Sequence, residues 1–394
     1  MDSLILANVR QRPLRTAVSI IGVSLGVILV VLTVGLARGV MRDSAQRQSN
    51  VDAELRFYPP GRVDVTMAAN SLRLPVLYRD ALLNGVQPTA EDPDIEPRPP
   101  IRGITAIAPI GTWVESSVGG IGFRLVDGIE YDNFSKATEI RIVDGRPIGD
   151  GTTPETESDV MVDRDYLESN KDANGQPLRV GSRIKVLSND FTIVGVYEPA
   201  VMARVKIPLR RLQQLLGGAE NCSYLLIKAE RLEMADQVSQ MIKEHYPDNP
   251  IVSTKDLPAL FSRGIVAVEI FLNVVIILSV VISALVILLA MYTTIIERTR
   301  EIGILKSLGA SKSFIMITIE KEAAIISAFG VALGFALSYI GKVALESSTK
   351  LIIDIQPQWL LFAALIGVLG GVVGAFYPAM RAANIDPIEA LSYE

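Results

Sequence analysis

Four long apolar runs, at residues 16–38, 266–296, 314–341 and 358–380, constrain this chain more than any other feature. Crossing a hydrocarbon layer of ~30 Å takes about 20 mostly apolar residues in a helix. The helix is required because lipid offers no partner to unpaired backbone N–H and C=O groups. The most apolar stretches, Thr16 to Leu36, Ile270 to Ile296, Ala323 to Ile340 and Trp359 to Met380, are long enough to span or nearly span. The sequence therefore predicts four transmembrane helices in a 1+3 arrangement, separated after the first by a large insertion. With 49% hydrophobic and only 21% charged residues, the chain is too apolar for an ordinary soluble protein.

Arg10, Arg12 and Arg15 precede the first run, as they would in a signal peptide. That run is longer than a signal core and no small-residue cleavage site follows before Arg38, so it is expected to stay as a helix. Basic residues favour the cytoplasmic side of short loops. This places residues 1–15, 297–313 and 381–394 inside, and residues 39–265 and the short loop 342–357 outside. Trp359 and Tyr377 sit near the ends of the fourth run, where amphipathic rings prefer the interface. Gly22 with Gly26, Gly330 with Gly334, and Gly367, Gly371 and Ala375 each recur at a spacing of four and share a helix face. Such faces let helices approach closely, either within one chain or across a dimer seam.

Within 297–313, Ile302, Leu305 and Leu308 recur at i, i+3 and i+6, giving a short helix one apolar stripe. Arg298, Arg300, Lys306 and Lys312 outnumber Glu297 and Glu301 there. The stripe needs a surface, and both a docked protein and the lipid headgroups suit it.

The insertion reads as mixed α/β. Arg183 to Leu187 and Phe191 to Tyr197 predict a hairpin turning at Ser188-Asn189-Asp190, and Ser223 to Lys228 predicts a strand. Leu232, Ala235, Val238, Met241 and Ile242 predict a helix over Leu232 to Tyr246, and the Pro-rich stretch Asn84 to Pro100 a surface loop. No active site stands out. Asp163, Asp165 and Glu168 miss the calcium-loop spacing. Ser116-Ser117 near Gly119-Gly120 lacks a nucleophile elbow, with His245 the one available base. A single cysteine, Cys222, excludes an internal disulfide, and a net charge of −5 gives no basic face for nucleic acid. Gly309-Ala310-Ser311-Lys312-Ser313 lacks the glycines that wrap phosphates, so these residues do not form an ATP-binding loop. Glu269, Glu320, Lys321 and Glu322 fall near helix ends, where snorkelling accounts for them, and no midplane charge suggests an ion-coupled carrier.

Several blocks resemble one family. Asn8-Val9-Arg10-Gln11-Arg12-Pro13-Leu14-Arg15-Thr16, followed by Gly22 and Gly26, resembles the start of FtsX/MacB-type ABC permeases. Glu297-Arg298-Thr299-Arg300-Glu301-Ile302-Gly303 with Leu308-Gly309-Ala310-Ser311 resembles that family's most recognisable block. Glu322 and Gly330 fall where its third helix carries a glutamate and a glycine. Tyr377-Pro378-Ala379, Arg381-Ala382-Ala383 and Asp386-Pro387-Ile388-Glu389-Ala390-Leu391 are similar to its ending. Val143-Asp144-Gly145-Arg146 and Phe191-Thr192-Ile193-Val194-Gly195-Val196 look like strings of its periplasmic core domain. Phe314 and Ile317 depart by replacing residues often polar in relatives, and Asn84 to Pro100 has no clear counterpart.

The resemblance covers essentially the whole chain. It implies a membrane α-helical fold with a large extracytoplasmic α/β domain, a porter-like part carrying an inserted β-rich part. The setting would be the bacterial inner membrane, with both termini cytoplasmic. It further implies a non-enzymatic permease subunit with no cofactor of its own, ATP and magnesium being bound by a separate ABC ATPase. Residues 297–313 would be the coupling helix on that ATPase, with Ile302, Leu305 and Leu308 as buried stripe. Arg298, Arg300, Glu301 and Lys306 would form the rim, while Gly303 and Gly309 would allow close packing and the following turn. The other implied partners are a second permease copy, a periplasmic adaptor and membrane lipid. The implied work is mechanotransmission driving export, efflux or extraction of a substrate. The alternative is a signalling or scaffold subunit regulating an extracytoplasmic enzyme such as a cell-wall hydrolase.

Overall fold

The computed structural model of the chain describes residues 13–61, 71–88, 96–116, 123–172, 175–257, 266–349, 352–387 and 390. Asn8 to Arg12, the middle of the Pro-rich stretch, Ser117, Gly119, Gly120, Ile388, Glu389 and Leu391 lie outside the described residues. In chain order the α-helices are α1 (Pro13–Ser49), α2 (Leu77–Asn84), α3 (Tyr131–Thr138), α4 (Arg164–Ser169) and α5 (Leu209–Leu216). They continue with α6 (Ala235–His245), α7 (Val266–Glu297), α8 (Thr299–Ser307), α9 (Lys312–Thr349) and α10 (Pro357–Ala383). Two compact units result, residues 1–40 with 265–394, and residues 41–264.

In the first unit, α1, α7, α9 and α10 are long and apolar enough to cross a membrane. Val23, Val27 and Val30 of α1, Ile287 of α7, Ile326 of α9 and Ala379 of α10 pack in a common core. Ile270, Val274, Ile277, Val281, Leu285 and Leu289 line the opposite, exposed side of α7, as a lipid-facing helix requires. The small residues are spent inside the chain. A Cβ at Gly22 would lie 2.3 Å from Val286 Cγ1, one at Gly330 2.6 Å from Val23 Cβ, and one at Gly367 2.7 Å from Val331 Cγ2. Packing within one chain thus accounts for these faces without a dimer seam. α1 continues past the apolar run to Ser49, its last turns carrying helix-favouring Ala, Gln and Arg and an Asp43–Arg47 pair at i, i+4.

The second unit is built on twelve strands among the described residues: β1 (Leu55–Phe57), β2 (Leu74–Pro75), β3 (Ile104–Ser116), β4 (Phe123–Ile129), β5 (Arg141–Gly145) and β6 (Asp159–Asp163), then β7 (Arg183–Val186), β8 (Asn189–Glu198), β9 (Val205–Pro208), β10 (Asn221–Cys222), β11 (Tyr224–Ala229) and β12 (Ile251–Ser253). Nine of them run in the order β12-β1-β11-β3-β4-β9-β6-β8-β5, with β7 added on β8, while β10 pairs β2 separately. The stretch from β5 to β9 is inserted between β4 and β11, and β9 knits it to the rest by pairing β4 in parallel and β6 antiparallel. Asp127 of β4 and Lys206 of β9 are register partners there. Both are buried; Lys206 Nζ donates to Asp127 Oδ2 at 3.1 Å, Val201 O at 3.1 Å and Ala203 O at 2.9 Å. Burial holds the Lys206 ammonium below its ordinary pKa, against the pull of Asp127.

Three local expectations shift. The β7–β8 hairpin turns at Leu187-Ser188, one residue early, both at positive φ as a two-residue hairpin turn demands. The Leu187 N–H donates to Glu115 Oε2 at 2.6 Å and Asn189 Nδ2 to Leu187 O at 2.7 Å, a tertiary hold that residue preference alone does not reveal. Leu232 is 57% exposed in a short 3₁₀ turn, because the buried stripe begins only at Ala235. The base of the Pro-rich loop is pinned by a bridge, Val86 N to Arg98 O at 2.8 Å and Arg98 N to Val86 O at 2.9 Å. A side chain at Gly85, at φ 76°, would strike Arg98 O.

Candidate functional site

No nucleophile–base pair emerges from the carboxylates and histidine singled out in the sequence. Asp163 caps α4 by accepting the Tyr166 N–H at 2.6 Å and pairs with Arg204 at 3.2 Å, and Asp165 pairs with the same guanidinium. Burial nevertheless raises the Asp163 carboxyl, outweighing Arg204. His245 Nδ1 lies 2.8 Å from Met241 O, within its own helix.

The distinctive geometry is around α8. A single residue, Arg298, separates it from α7, and a Schellman turn ends it. Ala310 N donates to Leu305 O and Gly309 N to Lys306 O, both at 3.0 Å, with Gly309 at φ 95°. Glycine reaches that left-handed conformation without a Cβ clash, so the chain reverses here and enters α9. The Ser311 hydroxyl accepts the Phe314 N–H and caps the new helix.

The three-residue stripe divides between two faces. Ile302 is buried in the chain's own helical core, while Leu305 and Leu308 are 44% and 80% exposed. Ile304, which the i, i+3, i+6 spacing left out, is exposed beside them. At 100° per residue, Ile304, Leu305, Leu308 and Glu301 share one side, opposite Gly303 and Lys306. Arg300 is exposed at the margin of this face and Glu301 is exposed within it. Arg298 instead turns back, its Nε donating to Glu301 at 2.8 Å and its Nη1 lying 3.5 Å from Glu322. Glu322 is therefore buried with a partner rather than snorkelling to an interface. A cavity of about 60 Å³ behind α8 is lined by Met291, Ile295, Ile302, Leu305, Ile319 and Glu322.

Lys306 also faces inward. Its Nζ donates to Ala383 O at 3.0 Å and Ile385 O at 2.6 Å. A Cβ at Gly303 would lie 2.6 Å from that of Ala390, which explains the need for glycine at this close approach. Neither contact had a sequence signal, since both partners lie some eighty residues away.

Two family models cover the chain. The MacB-like periplasmic core domain matches residues 16–245, and the FtsX-like permease C-terminal region matches residues 273–387. The chain belongs to the FtsX/MacB-type ABC transporter permeases. This permease is 23% identical, over 98% of its own length, to the macrolide export ATP-binding/permease protein MacB of Rhodospirillum rubrum, and spans 59% of that relative. It is 21% identical to the uncharacterized ABC transporter permease YknZ of Bacillus subtilis, with 99% of this chain and 98% of that one covered. The crystal structure of the periplasmic region of MacB from Actinobacillus actinomycetemcomitans resembles it at TM-score 0.38 and 10% identity, covering 55% of this chain and 96% of that one. Family membership does not rest on that distant likeness. The permease thus combines four apolar helices with an extracytoplasmic α/β domain of the periplasmic-core type.

Proposed function

We propose that this permease couples ATP hydrolysis by a separate ABC ATPase to movement of its extracytoplasmic domain, for export or extraction of a substrate. The carrying observation is the divided α8: its inner face is locked into the helical core while Ile304, Leu305 and Leu308 stand exposed on the other. An exposed apolar cluster of this kind suits a protein partner. Arg300 and Glu301 supply a charged rim for orientation. On this reading α8 and both termini lie in the cytoplasm, consistent with the basic residues Arg298, Arg300, Lys312 and Arg381. ATP and magnesium stay with the partner, and two permease copies work together so that closure of two ATPase domains moves two α8 helices. The motion passes along α7 to the outer domain.

The test is co-purification of an ATP-hydrolysing partner with the tagged permease. Leu305→Asp with Leu308→Asp places two charges on the exposed face and should abolish it, while membrane insertion and yield stay unchanged. Retention of the partner at the wild-type level would remove α8 as the contact.

A further inference from the structure

The segment after α10 packs against the inner side of α8. Lys306 Nζ takes two backbone carbonyls, Ala383 O and Ile385 O, and Lys312 Nζ donates to Asn384 Oδ1 at 2.8 Å. Ile385 packs on the core that holds Ile302, and Ala390, itself buried, abuts Gly303. The Ala390 N–H donates to Asp386 O at 2.9 Å. Ala383 O is the last carbonyl of α10 and Ile385 O lies two residues beyond it, at a helix end where the last C=O groups have no intrahelical donor and a cation is favoured.

α8 is joined to α7 and α9 by the chain itself, whereas α10 meets it through side chains. Close-packed contacts of this kind move together rather than deforming. We propose that α8, the last turn of α10, residues 384–387 and Ala390 form one coupling body, with Lys306 the positioning residue that carries motion of α8 into α10. The inference rests on the coupling role of α8 proposed above.

The experiment uses full-length permease in nanodiscs with the ATPase that co-purifies with the wild-type chain. Lys306→Met keeps the stem and removes the donor. It should retain the partner but lower permease-dependent stimulation of ATP turnover about tenfold, within the ~5–150-fold span typical of coupling between sites. Lys306→Arg, which can still reach both carbonyls, should restore most of the loss, as a merely destabilising change would not. Wild-type stimulation in Lys306→Met, or no recovery in Lys306→Arg, would each overturn the proposal. If the wild-type chain brings down no ATPase, the coupling role itself fails. Amide hydrogen exchange of the permease in nanodiscs then decides alone: exchange about tenfold faster in Lys306→Met at the Ala390 N–H, which donates to Asp386 O, supports the single body, by the same coupling range, and an unchanged rate refutes it.

Discussion

Lys206→Met is the sharpest probe of the outer domain. It keeps the length of the stem, so the space between the rings of Phe134 and Tyr197, 4.8 and 5.3 Å from Nζ, stays filled. What disappears is the ammonium and its three hydrogen bonds. Ala203 O keeps the Tyr197 hydroxyl at 2.9 Å, and Asp127 keeps the Thr112 hydroxyl at 2.9 Å and the Ala203 N–H at 3.0 Å. Asp127 is nonetheless left as a buried charge without its counter-ion, a change that costs ~3–5 kcal/mol. Asp127→Asn strands the ammonium and should cost a similar amount. The double variant removes both charges, so its loss should fall well below the sum of the two singles. Trp113 and Trp359 are the two tryptophans, and a Trp359→Phe background leaves Trp113 on β3 to report outer-domain unfolding by fluorescence in the full-length chain. A single-variant cost under about 1 kcal/mol, or strictly additive costs, would refute the view that this pair is a desolvated unit.

Two further perturbations test the packing and the buried thiol. Gly330→Leu drives a side chain into Val23 and should destabilise the helical unit by at least ~1–3 kcal/mol, read as a lower aggregation temperature in detergent; no change would argue against close α1–α9 packing. The folded state holds the Cys222 proton to about pH 12, whereas an unfolded thiol loses it near the ordinary value of 9.0. Unfolding then releases a proton between those values, so this group's contribution lowers stability as pH rises, by ~1.4 kcal/mol per unit. Cys222→Ala should flatten that alkaline slope, and native-state maleimide labelling as fast as in denaturant would contradict the burial.

The four spans were legible because lipid imposes a length and a composition that appear directly in the residues. Gly22, Gly330 and Gly367 were legible as close-approach positions, but the same spacing serves a neighbour in the chain or in another copy. Only Val286, Val23 and Val331 against them decide it. The hairpin was readable to within one residue, since the hold of Glu115 on Leu187 comes from another strand. The site was half legible. Periodicity identified an amphipathic α8 but could not divide its apolar residues between the chain's own core and an outside surface. Ile302 went inward, Ile304 was missed, and Lys306 looked like a rim residue until its two carbonyl acceptors were seen. Glu322 likewise resembled an interfacial charge because its partner, Arg298, sits across a reversal in the chain.

The division of α8 also bears on how many copies must act. Ile304, Leu305 and Leu308 are 46%, 44% and 80% exposed, less than two whole side chains together. At ~1.5–3 kcal/mol for each apolar side chain fully buried, one docked α8 gains about 2.5–5 kcal/mol from this face. Losses from ordering and imperfectly paired polar groups reduce that further. Throwing a two-state equilibrium from 1:99 to 99:1 takes about 5.5 kcal/mol of differential binding. A partner cannot exert more on one conformation than its whole contact is worth, so a single α8 falls short of a complete switch. Two α8 helices engaged by two joined ATPase domains double the gain to about 5–10 kcal/mol, a range that reaches it. On these magnitudes the proposed pairing of permease copies supplies apolar contact that a single α8 lacks.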